Sequence, residues 1–246
     1  MYSVLHLARA TYPFRGEYLA CGNPPMTNDF RTMITQNPPA FARSVFLDAP
    51  RPEDAGRFFT GLFTENQTDV DLSRVRTTRN PRYRGLSWLG ALESPDMDGA
   101  LEALTENPGY YISGSAKDPA PRYASLDGGN TWEVLDGMKR TVVGRFFLTK
   151  SGLPPVLYGV ERVVYLPDQE LEREWPDILA HYPALRHSGY DVLAMRRTGA
   201  VSRETWRSQF TLDGETLDKA AVLALPCPPA RRAWKRRLPF CGMLTK

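Results

Sequence analysis

The order of strand and helix signals between residues 69 and 167 predicts an α+β fold. Three observations carry that expectation. Short alternating or apolar runs, DVDLSRV at 69–75 and VLYGVERVVY at 156–165, read as strands. A helix is bounded by Ser94-Pro95-Asp96 at its start and Asn107-Pro108-Gly109 at its end. Two Asp-Gly turns, at Asp127 and Asp136, enclose an aromatic strand-like run.

Taken in order, residues 1–66 mix aromatic residues with proline and are expected to form an N-terminal extension. VLHLARA reads as a first strand, GEYLACGNPPMTNDF as a loop, and RPEDAGRFFTGLF as a helix start because Pro52, Glu53 and Asp54 precede its apolar residues. No chemistry is assigned there. The core is expected over 67–168. DVDLSRV is its first strand, and an arginine-rich loop follows, with Arg74, Arg76, Arg79, Arg82 and Arg84 interleaved with Tyr83 and Trp88. In the helix beyond Ser94, Met97, Leu101 and Leu104 share one face. YYISGS at 110–115 reads as a strand. RYASLDGGNTWEVL gives two strands about a hairpin turn, and TVVGRFFLTKSG gives a helix that Gly152 stops. PPVLYGVERVVYLP closes the core as a strand. Residues 169–246 are expected to be helical, interrupted by prolines, with LDGE at 212–215 as a surface loop and a basic tail at the end.

Composition narrows the function classes. The chain has 246 residues, a formal net charge of +3, 42% hydrophobic and 24% charged residues, so it is not a polycation and has room for a real core. The charge is uneven: Arg231, Arg232, Lys235, Arg236 and Arg237 lie in a tail without acids and are candidate nucleic-acid contacts. A solvated basic terminus is the equal alternative. Three widely spaced cysteines and three isolated histidines argue against a disulfide framework or a metal site. The N-terminus has no signal-peptide pattern and no run is long and apolar enough for a membrane span, so a cytoplasmic location without membrane insertion is expected.

Two motifs invite a chemical reading. SLDGGNTW matches the Asp-box pattern found on hairpins of sialidase-type propellers, but it occurs once, so it predicts only a braced turn in which Asp127 accepts amide hydrogen bonds and Trp132 packs across. LDGMKRTVVGR ends a strand in a tight turn and opens a helix on a Lys-Arg pair. Unpaired amides at a helix start bind anions, a lysine reaches phosphate as a point charge, and an arginine grips it bidentately. A solvated basic turn fits the same spacing. The Arg-rich loop likewise divides between holding triphosphate, or a DNA backbone with a base stacked on Tyr83, and pairing with the acids of the 94–106 helix.

The sequence of strand, arginine loop, helix, hairpin, D-G-x-K-R turn, helix and strand resembles the ParB/sulfiredoxin superfamily over about 100 residues. That resemblance implies a mixed-sheet core and a nucleotide, ATP or another with or without Mg, cradled by Gly137, Met138, Lys139 and Arg140 and backed by Arg82 and Arg84. It implies a nucleotide-binding accessory protein of a mobile element, similar to plasmid fertility-inhibition proteins. Such a protein acts on DNA or on a DNA-transfer or replication protein, with ATPase or nuclease chemistry. Asp136 and Glu133 are then the candidate catalytic acids, with Asp127 and Glu161 further off. Met138 stands where sulfiredoxin has its catalytic cysteine, which argues against that activity. The alternatives are a catalytically inactive protein-interaction module of the same fold and a plain nucleic-acid binder.

Overall fold

The computed structural model describes residues 27–49 and 57–226. The basic tail, with Arg231, Arg232, Lys235, Arg236 and Arg237, lies outside them, as does the strand expected at 4–10. The fold is α+β: a nine-stranded mixed sheet with helices packed on it. In chain order the elements are α1 (Thr27–Gln36), β1 (Leu47–Asp48), β2 (Phe59–Asp71), β3 (Val75–Thr78), α2 (Trp88–Glu93), α3 (Asp98–Glu106), α4 (Gly109–Ile112), β4 (Arg122–Ser125), β5 (Trp132–Asp136), α5 (Met138–Lys150), β6 (Val156–Pro167), α6 (Gln169–His181), β7 (Arg186–Thr198), β8 (Val201–Leu212), β9 (Glu215–Asp218) and α7 (Lys219–Leu223). The sheet runs β1-β3-β5-β4-β6-β2-β8-β7, and β9 adds to β8.

α5 is the centre of the larger core. Thr141, Val142 and Val143 are β-branched and poor helix formers, yet they are buried with Gly144, Phe146 and Leu148, so packing rather than propensity holds this helix. On one side it meets β5 and β6, and on the other α2, α3 and α4. Val142, Val143 and Phe146 are fully buried, each contributing roughly 1.5–3 kcal/mol of hydrophobic stabilisation. Met97, Leu101 and Leu104 turn their shared face into the same cluster, as the sequence predicts. Phe30, Ile34, Ala42 and Phe46 join it too, so segments N-terminal to residue 66 belong to this core, and β2 runs unbroken through that position.

Four local expectations change. RFFTGLF falls largely in β2, where Phe59 and Gly61 are buried, and not in a helix. Asn28-Asp29-Phe30, expected in a loop, belongs to α1. YYISGS is helical at its start, because Pro108, at φ −63, leads directly into α4 and turns Tyr111 inward. The region after 169 is helical only at α6 and α7; β7, β8 and β9 make up most of the rest. Pro176 is accommodated inside α6, and Asp213 and Gly214, both at positive φ, make a tight hairpin turn between β8 and β9. Phe58, Leu171, Ile178, Leu185, Phe210 and Val222 form a second, smaller apolar cluster there.

The Asp-box hairpin behaves as expected. The Asp127 carboxylate accepts from the amides of Asn130 and Thr131 and from the hydroxyls of Ser125 and Thr131 at 2.7–3.0 Å. Burial pushes its pKa up, but those bonds outweigh the push and leave it below the usual range. Trp132 packs into the core.

The segment 113–121 is laid tightly over the sheet. A Cβ on Gly159 of β6 would stand 2.1 Å from the Ser115 carbonyl oxygen, and Gly159 has φ 68. Gly159→Ala is therefore expected to cost about 2–4 kcal/mol, from the positive φ and the forced displacement together. Urea unfolding checks this, and a loss below about 1 kcal/mol contradicts the close approach.

Candidate functional site

β1, β3 and β5 are parallel, so their carboxyl ends open at one edge of the sheet. The arginine loop after β3 and the turn into α5 both emerge there. Ligands in open α/β sheets gather outside such strand ends. Antiparallel pairing of β4 with β5 brings Arg122 to the same edge, opposite Asp136, where it pairs with Glu161 at 2.9 Å.

At the turn, Gly137 takes φ 82 and lies against Pro121, whose Cβ would be 2.8 Å from a Cβ at that position. Its amide donates to Asp136 Oδ1 at 2.7 Å. A carboxylate thus already occupies the electropositive start of α5. Met138 is only 6% exposed and packs into the core, so its thioether is unavailable to a ligand. Lys139 is exposed, with no partner among the described residues. Arg140 follows about 100° round the helix. Its Nη1 donates to the Pro119 carbonyl at 2.6 Å, and its guanidinium carbon lies 5.2 Å from the centre of the Tyr110 ring.

The arginine loop is pinned by acids. Arg82 pairs with Asp96 at 3.0 Å, as the alternative of pairing with the 94–106 segment anticipates, and Arg84 pairs with Asp48 at 2.7 Å. Arg79 Nη2 donates to Glu133 Oε2 at 3.1 Å, and its Nε lies 2.7 Å from Oε1 as an ion pair without hydrogen-bond geometry. Glu133 is 5% exposed; burial pushes its pKa up and Arg79 pulls it back, leaving it raised. Tyr83 and Trp88 are buried in the core, which removes them as surfaces for a stacked base. Asn80 braces the loop, its amide donating to Thr78 Oγ1 and its side-chain oxygen accepting from the Arg82 amide, each at 3.1 Å.

Sequence reasoning missed the partner of Arg140. Lys117 is 9% exposed, its Nζ donates to the Ser113 carbonyl at 3.1 Å, and it lies 4.9 Å from the centre of the same Tyr110 ring. No carboxylate pairs with it among the described residues, and burial pulls its pKa down to about 8. The Tyr110 hydroxyl is buried beside the Arg140 guanidinium, with no well-formed hydrogen bond between them. Burial pushes that phenol up, while the adjacent Arg140 guanidinium holds it back. Both cations therefore approach the ring of Tyr110 near the start of α5. The only sequence signal was a lysine in a proline-bearing stretch, AKDPAP, whose approach to Arg140 depends on the loop's path.

A second unusual cation, Arg145, is 5% exposed and lies between the rings of Phe41 and Trp88, at 3.9 and 4.2 Å. Its Nη1 has no partner atom, and burial lowers its pKa to about 10. It faces the helical layer and belongs to the packing of α5. Among the described residues no cluster of three or more histidine, cysteine or acidic side chains is placed to hold a metal, and no helix is long and apolar enough to cross a membrane. Comparison with protein-family models, curated proteins and solved structures finds no match to the chain.

The two exposed arginine pairs are expected to matter little for folding. Arg82→Ala and Arg84→Ala should each shift stability by no more than about 1 kcal/mol in chemical denaturation. A larger loss would show that these pairs hold the loop in place.

Proposed function

We propose that the protein is a nucleotide-binding accessory protein of a mobile element, with a ParB/sulfiredoxin-like core. In this scheme it acts in the cytoplasm on DNA or on a DNA-transfer apparatus. The observation that carries the binding step is the pair Lys117 and Arg140, two cations on one tyrosine ring, one of them buried with no carboxylate to neutralise it. A polyphosphate supplies the missing charge. Arg140 offers the donors that Pro119 leaves unused, Lys117 a point charge, Tyr110 a hydroxyl, and Lys139 a second cation at the rim.

The side chains take the role first assigned to the turn amides, because Asp136 holds the Gly137 amide. Arg82 and Arg84 would have to leave Asp96 and Asp48 to take part. Hydrolysis would require Asp136 to give up its turn or Glu133 to leave Arg79, so binding is the primary activity here. ATPase or strand cleavage, with or without Mg, is a separate step read by phosphate release or nicking. The same engaged acids favour, as a second reading, a catalytically silent module whose nucleotide controls binding to a partner protein. The tail from Arg231 to Arg237 is the proposed nucleic-acid contact.

Isothermal titration with ATP, CTP, ADP and tripolyphosphate tests the site. Lys117→Gln and Arg140→Gln should each weaken binding roughly 10- to 100-fold, the equivalent of a charge-assisted hydrogen bond of about 1.5–3 kcal/mol. Arg82→Ala should leave it unchanged. No binding by the parent chain, or equal binding by all variants, removes the proposal.

The lowered Lys117 pKa gives a second test with two opposite signs. Phosphate binding requires the charged amine, so affinity should fall as pH rises through about 8. Folding responds the other way. Between that value and the ordinary lysine range the unfolded chain holds more protons, so this group's contribution to stability rises with pH. Titration calorimetry and urea unfolding across the same window read the two slopes. A pH-independent affinity there contradicts the role of Lys117.

A further inference from the structure

Among the described residues β7 ends the sheet, and no strand lies beside its outer edge. Residues 191–200 are all exposed, among them Val192, Leu193 and Met195 at 58%, 50% and 65%. A long edge carrying apolar side chains is a template for another strand. Its charges indicate which strand. Arg196 lies directly opposite Arg203 on β8, an unfavourable like-charge pair, and neither has a carboxylate partner among the described residues. Asp191, five positions away, accepts from Gln209 on one oxygen, and among the described residues forms no ion pair, though Arg207 lies opposite it in register.

We infer that the protein forms a homodimer by antiparallel pairing of β7 with β7 of a second copy, joining the two sheets across a two-fold axis. The register follows from the faces. β7 carries one extra residue between Val192 and Ala194, so Val192 and Met195 lie on the face of Trp206 and Glu204. Asp191 and Arg196 lie on the opposite face, with Arg207 and Arg203. With the axis between Leu193 and Ala194, Asp191 of each copy falls opposite Arg196 of the other, and Val192 opposite Met195. Every such pair shares a face. The two aspartates neutralise the two uncompensated arginine rows, and the exposed valine and methionine cover one another.

Light scattering and sedimentation of the full chain test the inference with charge exchange. The parent should have twice the 27.7 kDa chain mass. Asp191→Arg and Arg196→Asp should each weaken the dimer at least ~10-fold, because each sets like charges opposite one another. The double variant Asp191→Arg, Arg196→Asp should restore it. So should a mixture of the two single variants, which pairs opposite charges at both sites, and circular dichroism should show every variant folded. A monomeric parent overturns the inference, as does a dimer indifferent to both single changes or one that neither exchange restores. A monomeric parent whose β7 captures a peptide strand or nucleic acid overturns it in favour of that ligand.

Discussion

The seating of α5 on the sheet is the constraint on which the rest of the structure depends. Its first turn is fixed by one buried contact, the Thr141 hydroxyl against the Tyr123 hydroxyl at 2.8 Å, while Thr141 also bonds back to the Gly137 carbonyl. Burial pushes the Tyr123 phenol well above its ordinary value, so it stays neutral and can hold that bond across the accessible pH range. Gly144 then admits Tyr111, whose ring carbon would lie 2.8 Å from a Cβ there. Tyr111 lies in α4, α4 leads into the 113–121 loop, and that loop brings the Pro119 carbonyl to Arg140 and Lys117 to the Tyr110 ring. The cation pair is thus a consequence of how a buried helix is packed.

Charge placement around that helix separates structural from available groups. Asp136, Glu133, Asp96 and Asp48 each have a defined partner, and they absorb the arginine loop and the turn amide. At the start of α5, Lys117, Arg140 and Lys139 have no carboxylate partner among the described residues, and Lys150 in its last turn bonds only the Asn37 carbonyl. Arg145 further along α5 also lacks one, but aromatic faces enclose it. Exposed ion pairs contribute little to stability, whereas a buried lysine without an anion is costly. Lys117 carries that cost beside Tyr110, near the turn that opens α5.

The legible parts of the fold were those with local punctuation. Ser94-Pro95 and Asn107-Pro108 bounded a helix, Asp127-Gly128 made a hairpin, and Gly152, at φ 68, stopped α5. The same Asp-Gly signal at 213–214 marks the β8–β9 turn, but without clear alternation in the flanking residues it read as a loop. β7 is exposed on both faces from Asp191 onward, and the outer part of β8 alternates only exposed with half-buried residues, so neither carries a strong apolar alternation. In the candidate site, the turn was legible because its residues are consecutive. Lys117 was not, since it lies 23 residues from Arg140 and reaches the same Tyr110 ring through the path of a proline-bearing loop.

The central claim is that Lys117 and Arg140 form one receptor for phosphate, and it has a direct spectroscopic reading. Nuclear magnetic resonance of labelled lysine side chains gives the Lys117 titration with and without tripolyphosphate. The account predicts a midpoint near 8 in the free protein that moves upward when the anion binds, since an anion stabilises the charged amine. A midpoint unmoved by saturating tripolyphosphate would contradict it.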